Sequence, residues 1–271
     1  MTVRRTLSVL FVFFLLAVSC DIKEERVGCP CVLSIYPDGS IDGNTYKSIS
    51  NDILVYDFAT GRKYYDGSVE SDNFAGGKPC KLKIPKSSVN IRGIFGVRAM
   101  KEDGPVLRIG KGLQADSVFV YSGYADCLGE TASDTLDLAK QWCSVRITFN
   151  QNENWKVSEC TLSGEWNGFD TSTLEAARGS FYFEAEATGG DSFIARVPRQ
   201  GDNSLSLSVA YGGDEKQYRE FPVGKLIEEA RFDWNKKDLD DVVILIDRAQ
   251  IQVQIIIADW EKGTDYGNVE I

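Results

Sequence analysis

An all-β architecture is predicted by three features of the sequence. Short runs alternating apolar and polar residues follow one another along most of the chain, turn-forming residues separate them, and helical periodicity is scarce. Strands at this spacing, joined by Gly- and Asp-containing turns, argue for β-sandwiches rather than a parallel sheet wrapped in helices. The 271 residues suit two domains of ~100–150 residues. The expected boundary lies near residues 139–141, giving an N-terminal sandwich over 29–139 and a C-terminal one over 140–271.

Taken in order, Val32–Tyr36 alternates before the turn Pro37-Asp38-Gly39. Ile53–Phe58 and Arg62–Tyr65 flank Ala59-Thr60-Gly61, a hairpin in which Gly61 supplies the positive φ. Lys81–Ile84, a long run Val89–Met100, Ser117–Tyr121, Thr135–Leu138 and Trp142–Phe149 follow. In the second half Trp155–Leu162, Phe181–Ala187, Ser192–Val197 and Leu205–Tyr211 keep period two. Val242–Ile246 is continuously apolar and belongs inside a sheet, whereas Gln250–Ile257 alternates Gln with Ile or Val, burying one face. Short helices are expected only at Thr173–Arg178 and Leu226–Arg231.

The first twenty-five residues carry an address. Arg4 and Arg5 precede an apolar run, Leu7 to Val18, which is too short to cross a hydrocarbon core as a helix. It reads as a signal peptide, residues 1–19. Leu16-Ala17-Val18-Ser19-Cys20 looks like a lipobox, in which the chain is cut between Ser19 and Cys20 and the Cys20 thiol receives a diacylglycerol; a plain secretory cut is the alternative. Acyl chains, palmitate among them, contribute ~0.8 kcal/mol per buried CH₂, so several on Cys20 fasten a protein to a bilayer. In the linker over 20–28, Asp21, Lys23, Glu24 and Glu25 resemble the surface-export signal of Bacteroides-like lipoproteins.

Composition excludes several functions. Net charge is −10, deepening to −12 without the first nineteen residues, which carry Arg4 and Arg5 and no acid. Such a surface repels phosphate backbones, so nucleic acid is not an expected partner. Histidine is absent, which removes Ser-His-Asp and Cys-His catalysis and every His-containing metal site. Six cysteines follow Cys20, namely Cys29, Cys31, Cys80, Cys127, Cys143 and Cys160. Their even number in an exported chain points to disulfides, with connectivity open; no paired C-x-x-C spacing supports a metal. Asp238, Asp240 and Asp241 lack the rest of a calcium loop and read as a solvated turn. No motif selects a catalytic pair of carboxylates, so neither enzymatic activity nor a cofactor is expected. Among the tryptophans, Trp166 in Gly164-Glu165-Trp166-Asn167-Gly168 is the best candidate for stacking on a sugar ring.

Three stretches resemble the FimB-type anchor family of type V fimbriae. They are Cys29-Pro30-Cys31-Val32-Leu33-Ser34-Ile35, the hairpin Ile53–Phe58 with Thr60-Gly61-Arg62, and Ile251–Ile257 running into Trp260. The resemblance implies two transthyretin-like β-sandwich domains and a lipid anchor in the outer membrane, with the body exposed at the cell surface. It also implies fimbrial shaft subunits as partners and a role in cell adhesion through pilus assembly, in which a strand of one subunit is added to another. The cysteines exceed what the family leads one to expect. A surface glycan-binding lipoprotein is the competing reading, with a carboxylate-dependent hydrolase a distant third.

Overall fold

The computed structural model describes residues 29–150, 157–212, 215–247 and 252–259. Its sheets pack around two cores. In the first, β1 (Cys31–Tyr36) runs between β4 (Cys80–Ile84), antiparallel, and β9 (Thr131–Thr135), parallel. A second sheet has the order β10 (Ala139–Lys140), β8 (Phe119–Asp126), β5 (Ser88–Phe95), β2 (Asn51–Asp57), β3 (Lys63–Ser68). Period two puts Leu33 and Ile35 of one sheet and Ile53, Val55, Val89 and Ile91 of the other into one buried cluster. Two short helices, α1 (Gly43–Ser48) and α2 (Ser71–Ala75), add Tyr46 and Phe74, whose rings meet edge-on at 5.7 Å. Asp42 caps α1 by accepting from the Asn44 N–H at 3.0 Å.

The second core lies between β14 (Glu186–Gly189), β15 (Ser192–Pro198), β11 (Trp142–Phe149), β18 (Asp241–Asp247), β19 (Gln252–Ala258) and a sheet ordered β17 (Gln217–Phe221), β16 (Ser206–Tyr211), β12 (Val157–Asp170), β7 (Val106–Arg108), β6 (Lys101–Asp103). The other edge of β12 takes β13 (Ala176–Glu184). Helix α3 (Val223–Glu229) presses Val223 and Ile227 into this core. Full burial of a residue such as Leu162 or Ile244 contributes about 1.5–3 kcal/mol each.

The all-β reading is borne out, and most of the expected strands are present. Gly61 takes φ +68 at the hairpin between β2 and β3. The turn is organised by Asp57, whose carboxylate accepts from the Ala59 and Thr60 amides, the Thr60 hydroxyl and the Tyr64 hydroxyl at 2.7–3.1 Å.

Several expectations are corrected. The run expected at Val89–Met100 ends at Phe95, and the chain then leaves the first core to form β6 and β7, the latter paired with β12. Met100, Leu107, Ile109, Ala115 and Val118 therefore belong to the second core. No helix forms at Thr173–Arg178. Asp170 instead accepts from the Ser172 and Thr173 amides, Leu174 adopts φ 62, and the chain turns directly into β13. All six cysteines from Cys29 onward are free thiols, so the expected set of disulfides is not present in this structure. They are spread too widely to pair as a set: Cys29 is exposed, Cys80 lies on the edge strand β4, and Cys143 and Cys160 are in the second core.

The cores meet at residues 138–142. Trp142 packs against both, its ring 4.8 Å from Phe119. Lys140, buried, donates to the Asp241 carboxylate at 2.6 Å and the Leu239 carbonyl at 2.9 Å, with its ammonium 5.1 Å from the Trp142 ring. Arg199 donates to Gln141 and to the carbonyls of Trp234, Lys236 and Lys237. Asp238 and Asp240 are engaged by the Lys140 amide and the Lys236 ammonium.

Candidate functional site

Ser19, Cys20, Asp21, Lys23, Glu24 and Glu25 lie outside the described residues. The described chain begins at Cys29, which is exposed, and enters β1, the middle strand of its sheet. The register places the start of β1, the end of β4, the hairpin 58–62 and the connection 127–130 at one end of the first core. Phe58, Tyr124 and Leu128 are exposed at that end, the first two rings in edge contact at 5.5 Å.

Sheet edges decide where a partner strand can add, because an edge strand leaves one row of backbone N–H and C=O groups without a ladder. Most edges here carry charge. β4 has Lys81 and Lys83, β3 has Lys63 and Asp66, β6 reads Lys-Glu-Asp, β17 has Arg219 and Glu220, and β14 starts at Glu186. β9 carries Asp134, β10 is two residues with Lys140 as its second, and β13 carries Arg178 and Glu184. Charge and brevity are the usual guards against edge-to-edge pairing. Among the described edge strands β19 differs, with seven residues, Gln-Val-Gln-Ile-Ile-Ile-Ala, and no charge. It pairs antiparallel with β18 from Gln252–Asp247 to Ala258–Asp241, and Val253, Ile255 and Ile257 pack on the second core. One side of β19 is thus fixed by β18 and the core, while no strand occupies the other among the described residues.

The alternation of glutamine with aliphatics was visible in the sequence, but its place at an edge was not, because that follows from the pairing of β18 with β11. The lack of charge over the segment was the available signal. Lys140 and Arg199 belong to no sequence motif; a lone lysine between Leu138-Ala139 and Trp142 is the signal for the first.

Trp166 sits on β12 between two register shifts, and its indole is half-buried, with Asp202 close by. A Cβ on Gly201 would come within 2.7 Å of the ring, so this side of the indole is closed by backbone. The neighbouring Asp202 carboxyl is held below the usual carboxylate range, chiefly by the Ser204 hydroxyl. Of the clefts, one of about 400 Å³ lies where the cores meet, lined by Arg98, Asp116, Trp142 and Arg196 among others. Asp116 is already occupied, accepting from the Arg98, Ala99 and Met100 amides at 2.7–2.8 Å. Among the described residues no helix is long and apolar enough to cross a membrane.

Neither a family model nor a curated protein sequence matches the chain. Solved structures do match it, over nearly the whole of the described fold. A candidate polysaccharide-binding protein of Bacteroides thetaiotaomicron superposes with a TM-score of 0.59 at 9% identity, covering 86% of this chain and 96% of that one. The fimbrial anchor protein Mfa2 of Porphyromonas gingivalis gives 0.57 at 12% identity, with 86% and 98% covered. The tip fimbrial protein Mfa3 of the same organism, truncated at its C-terminus, gives 0.50 at 10% identity, with 85% and 100% covered. The class defined is therefore a fold, the β-sandwich architecture shared by fimbrial and adhesin-type proteins of Bacteroides and Porphyromonas. At these identities the likeness is one of fold.

Proposed function

We propose that the chain is a structural subunit of a surface fimbrium, anchored in the outer membrane by lipid on Cys20, which seats or caps the fimbrium and joins it by strand addition along β19. The observation that carries this reading is the uncharged edge of β19, a seven-residue strand, where the other described edges are guarded by charge or brevity. A fold shared with a fimbrial anchor and a fimbrial tip protein supports it, as does the lipobox-like sequence ending at Cys20. Main-chain hydrogen bonds to β19 would give a shaft subunit its affinity, and alternate side chains its register. No step of this role is catalytic. The glycan-binding alternative has less to rest on, because the Trp166 ring is packed against Gly201.

The test places charge on the edge. Gln254→Lys with Ile256→Lys should abolish co-purification of shaft subunits from the native membrane while leaving the circular dichroism spectrum and the membrane attachment unchanged. Undiminished recovery of those subunits would reject β19 as the joining edge. Release of a Cys20→Ala protein from the membrane fraction tests the anchor separately.

A further inference from the structure

Two buried thiols, Cys31 and Cys127, take part neither in the edge of β19 nor in the lipobox-like segment. Cys31 is the first residue of β1 and Cys127 follows the last residue of β8; both are wholly buried in the first core. They come together because β9 runs parallel to β1. Val32 pairs with Thr131, the Val32 N–H donates to the Glu130 carbonyl at 2.9 Å, and the connection 127–130 therefore lies across the start of β1. The Cys127 amide is fixed in turn by the Ser87 carbonyl at 3.1 Å. Both side chains lie in the same buried cluster, and Cys31 is near enough to the Cys127 thiol to raise it. Cys80 is displaced along the sheet, since it pairs with Ile35 while Cys31 pairs with Ile84.

We propose that Cys31 and Cys127 form a disulfide in the exported protein, and that this bond fastens the strand nearest the tether to the opposite sheet. The proposal rests on the export part of the functional reading, because an oxidising compartment is needed. The oxidant is a protein disulfide carrier. One cysteine thiolate attacks a sulfur of the carrier's disulfide, giving a mixed disulfide and a carrier thiol. The second thiolate then attacks the protein sulfur of that bond and expels the carrier's other thiolate. Two S–H bonds are lost and one S–S bond is gained, and both electrons and both protons end on the carrier, which leaves as a dithiol.

Burial sets the timing. It pushes the Cys127 thiol up to about 12, aided by the neighbouring Cys31, so thiolate is scarce once the core has closed. The exchange therefore precedes the docking of β1 or uses its opening. The bond would also redirect force. A pull on the chain ahead of Cys31 otherwise falls on β1 alone; once linked, it passes to the end of β8, an interior strand of the five-stranded sheet. The residues enclosed between 31 and 127 could then not be extended, which at ~3.5 Å per residue removes roughly 340 Å from the unfolded length.

The chain from Asp21 onward, which keeps every described element, is exported to an oxidising compartment, and a second sample made in a reducing cytosol is treated with oxidised glutathione. Both are denatured, alkylated without reduction, digested and weighed. The expected result is one linked peptide pair joining 31 to 127, with Cys29, Cys80, Cys143 and Cys160 alkylated. Single-molecule extension from the two termini should fall short by about 340 Å, the deficit vanishing with reductant or in Cys127→Ser. Six alkylated thiols in both samples, or a link between any other pair, would overturn the proposal. In protein taken from its native membrane, the acyl mass at Cys20 is read independently. A linked but unacylated protein sinks the anchor alone, and an acylated protein with six free thiols sinks the disulfide alone.

Discussion

Replacing Lys140 by methionine tests whether the junction between the cores is held by a buried charge pair. The side chain is 3% exposed and its partner Asp241 21% exposed, so solvent screens the pair poorly. Methionine keeps the apolar stem beside Trp142 and removes the ammonium. Asp241 keeps only the Ser144 amide at 2.8 Å among its bonds on this strand, and the Leu239 carbonyl loses its 2.9 Å donor. A charge-assisted hydrogen bond contributes about 1.5–3 kcal/mol, and a carboxylate stripped of its partner adds desolvation cost, so the expected loss is about 3 kcal/mol. For a chain of this size that lowers Tm by about 6–12 °C. The assay is thermal unfolding beside Lys237→Met, which removes an ion pair to Asp137 whose members are 45% and 79% exposed and should cost less than about 1 kcal/mol. Adding Asp241→Leu to Lys140→Met should recover part of the loss, since no orphaned charge remains. Equal effects of Lys140→Met and Lys237→Met, or a double variant weaker than the single by a further like amount, would refute the reasoning.

Two further outcomes follow from single residues. The Asp57 carboxyl is held down to about 2, first by the Thr60 hydroxyl, then by the Thr60 amide and Tyr64. Its folded-state value is below its unfolded one, so the stability it supplies is present above about pH 4 and is lost as pH falls toward 2. Asp57→Asn should flatten acid unfolding across that window, and an unchanged acid limb would contradict the assignment. At Gly168 a Cβ would overlap the Leu107 carbonyl oxygen and sit 3.0 Å from the Arg108 Cα. Gly168→Ala should therefore free β7 from β12, with hydrogen exchange at Leu107 and Ile109 accelerated at least tenfold and the rest of the second core still protected; uniform protection would show that the strands adjust.

The sequence carried the elements better than their neighbours. Alternation fixed β1, β2, β11 and β16, because a one-residue slip would turn each inward row, such as Leu33 and Ile35, out to water. It failed where the local pattern was short or overruled. Lys101-Glu102-Asp103 has no apolar signal, and its strand exists only because β7 ties it to β12. Gly164 and Gly168 looked like turn residues flanking Trp166, whereas they mark shifts in register within one long strand that faces β16, β7 and β13 in turn. At Asp170 a side chain captured the amides that a helix would have needed. The same limit governs the sites. Six cysteines gave an even count, but the meeting of Cys31 with Cys127 depends on the parallel pairing of β1 and β9, a contact between residues about a hundred positions apart.

The excursion of residues 96–118 changes how the cores can move. Two bodies joined by one linker can turn about it. Here the chain passes from the first core to the second after Phe95, returns to the first at Phe119, and crosses again at 140–142. Turning one core against the other would drag on both ends of the 96–118 excursion, whose β7 is held in the second core by β12, and would break the contacts of Arg92 with Ser172 and of Trp142 with both cores. Each break costs a hydrogen bond or buried apolar surface, and they must occur together. A strand partner seated on β19 and a tether leaving at residue 29 would thus be joined by a body that resists hinging. Displacement applied at one would reach the other as strain in β1 rather than be absorbed between the cores, which puts the demand on the strand that begins with Cys31.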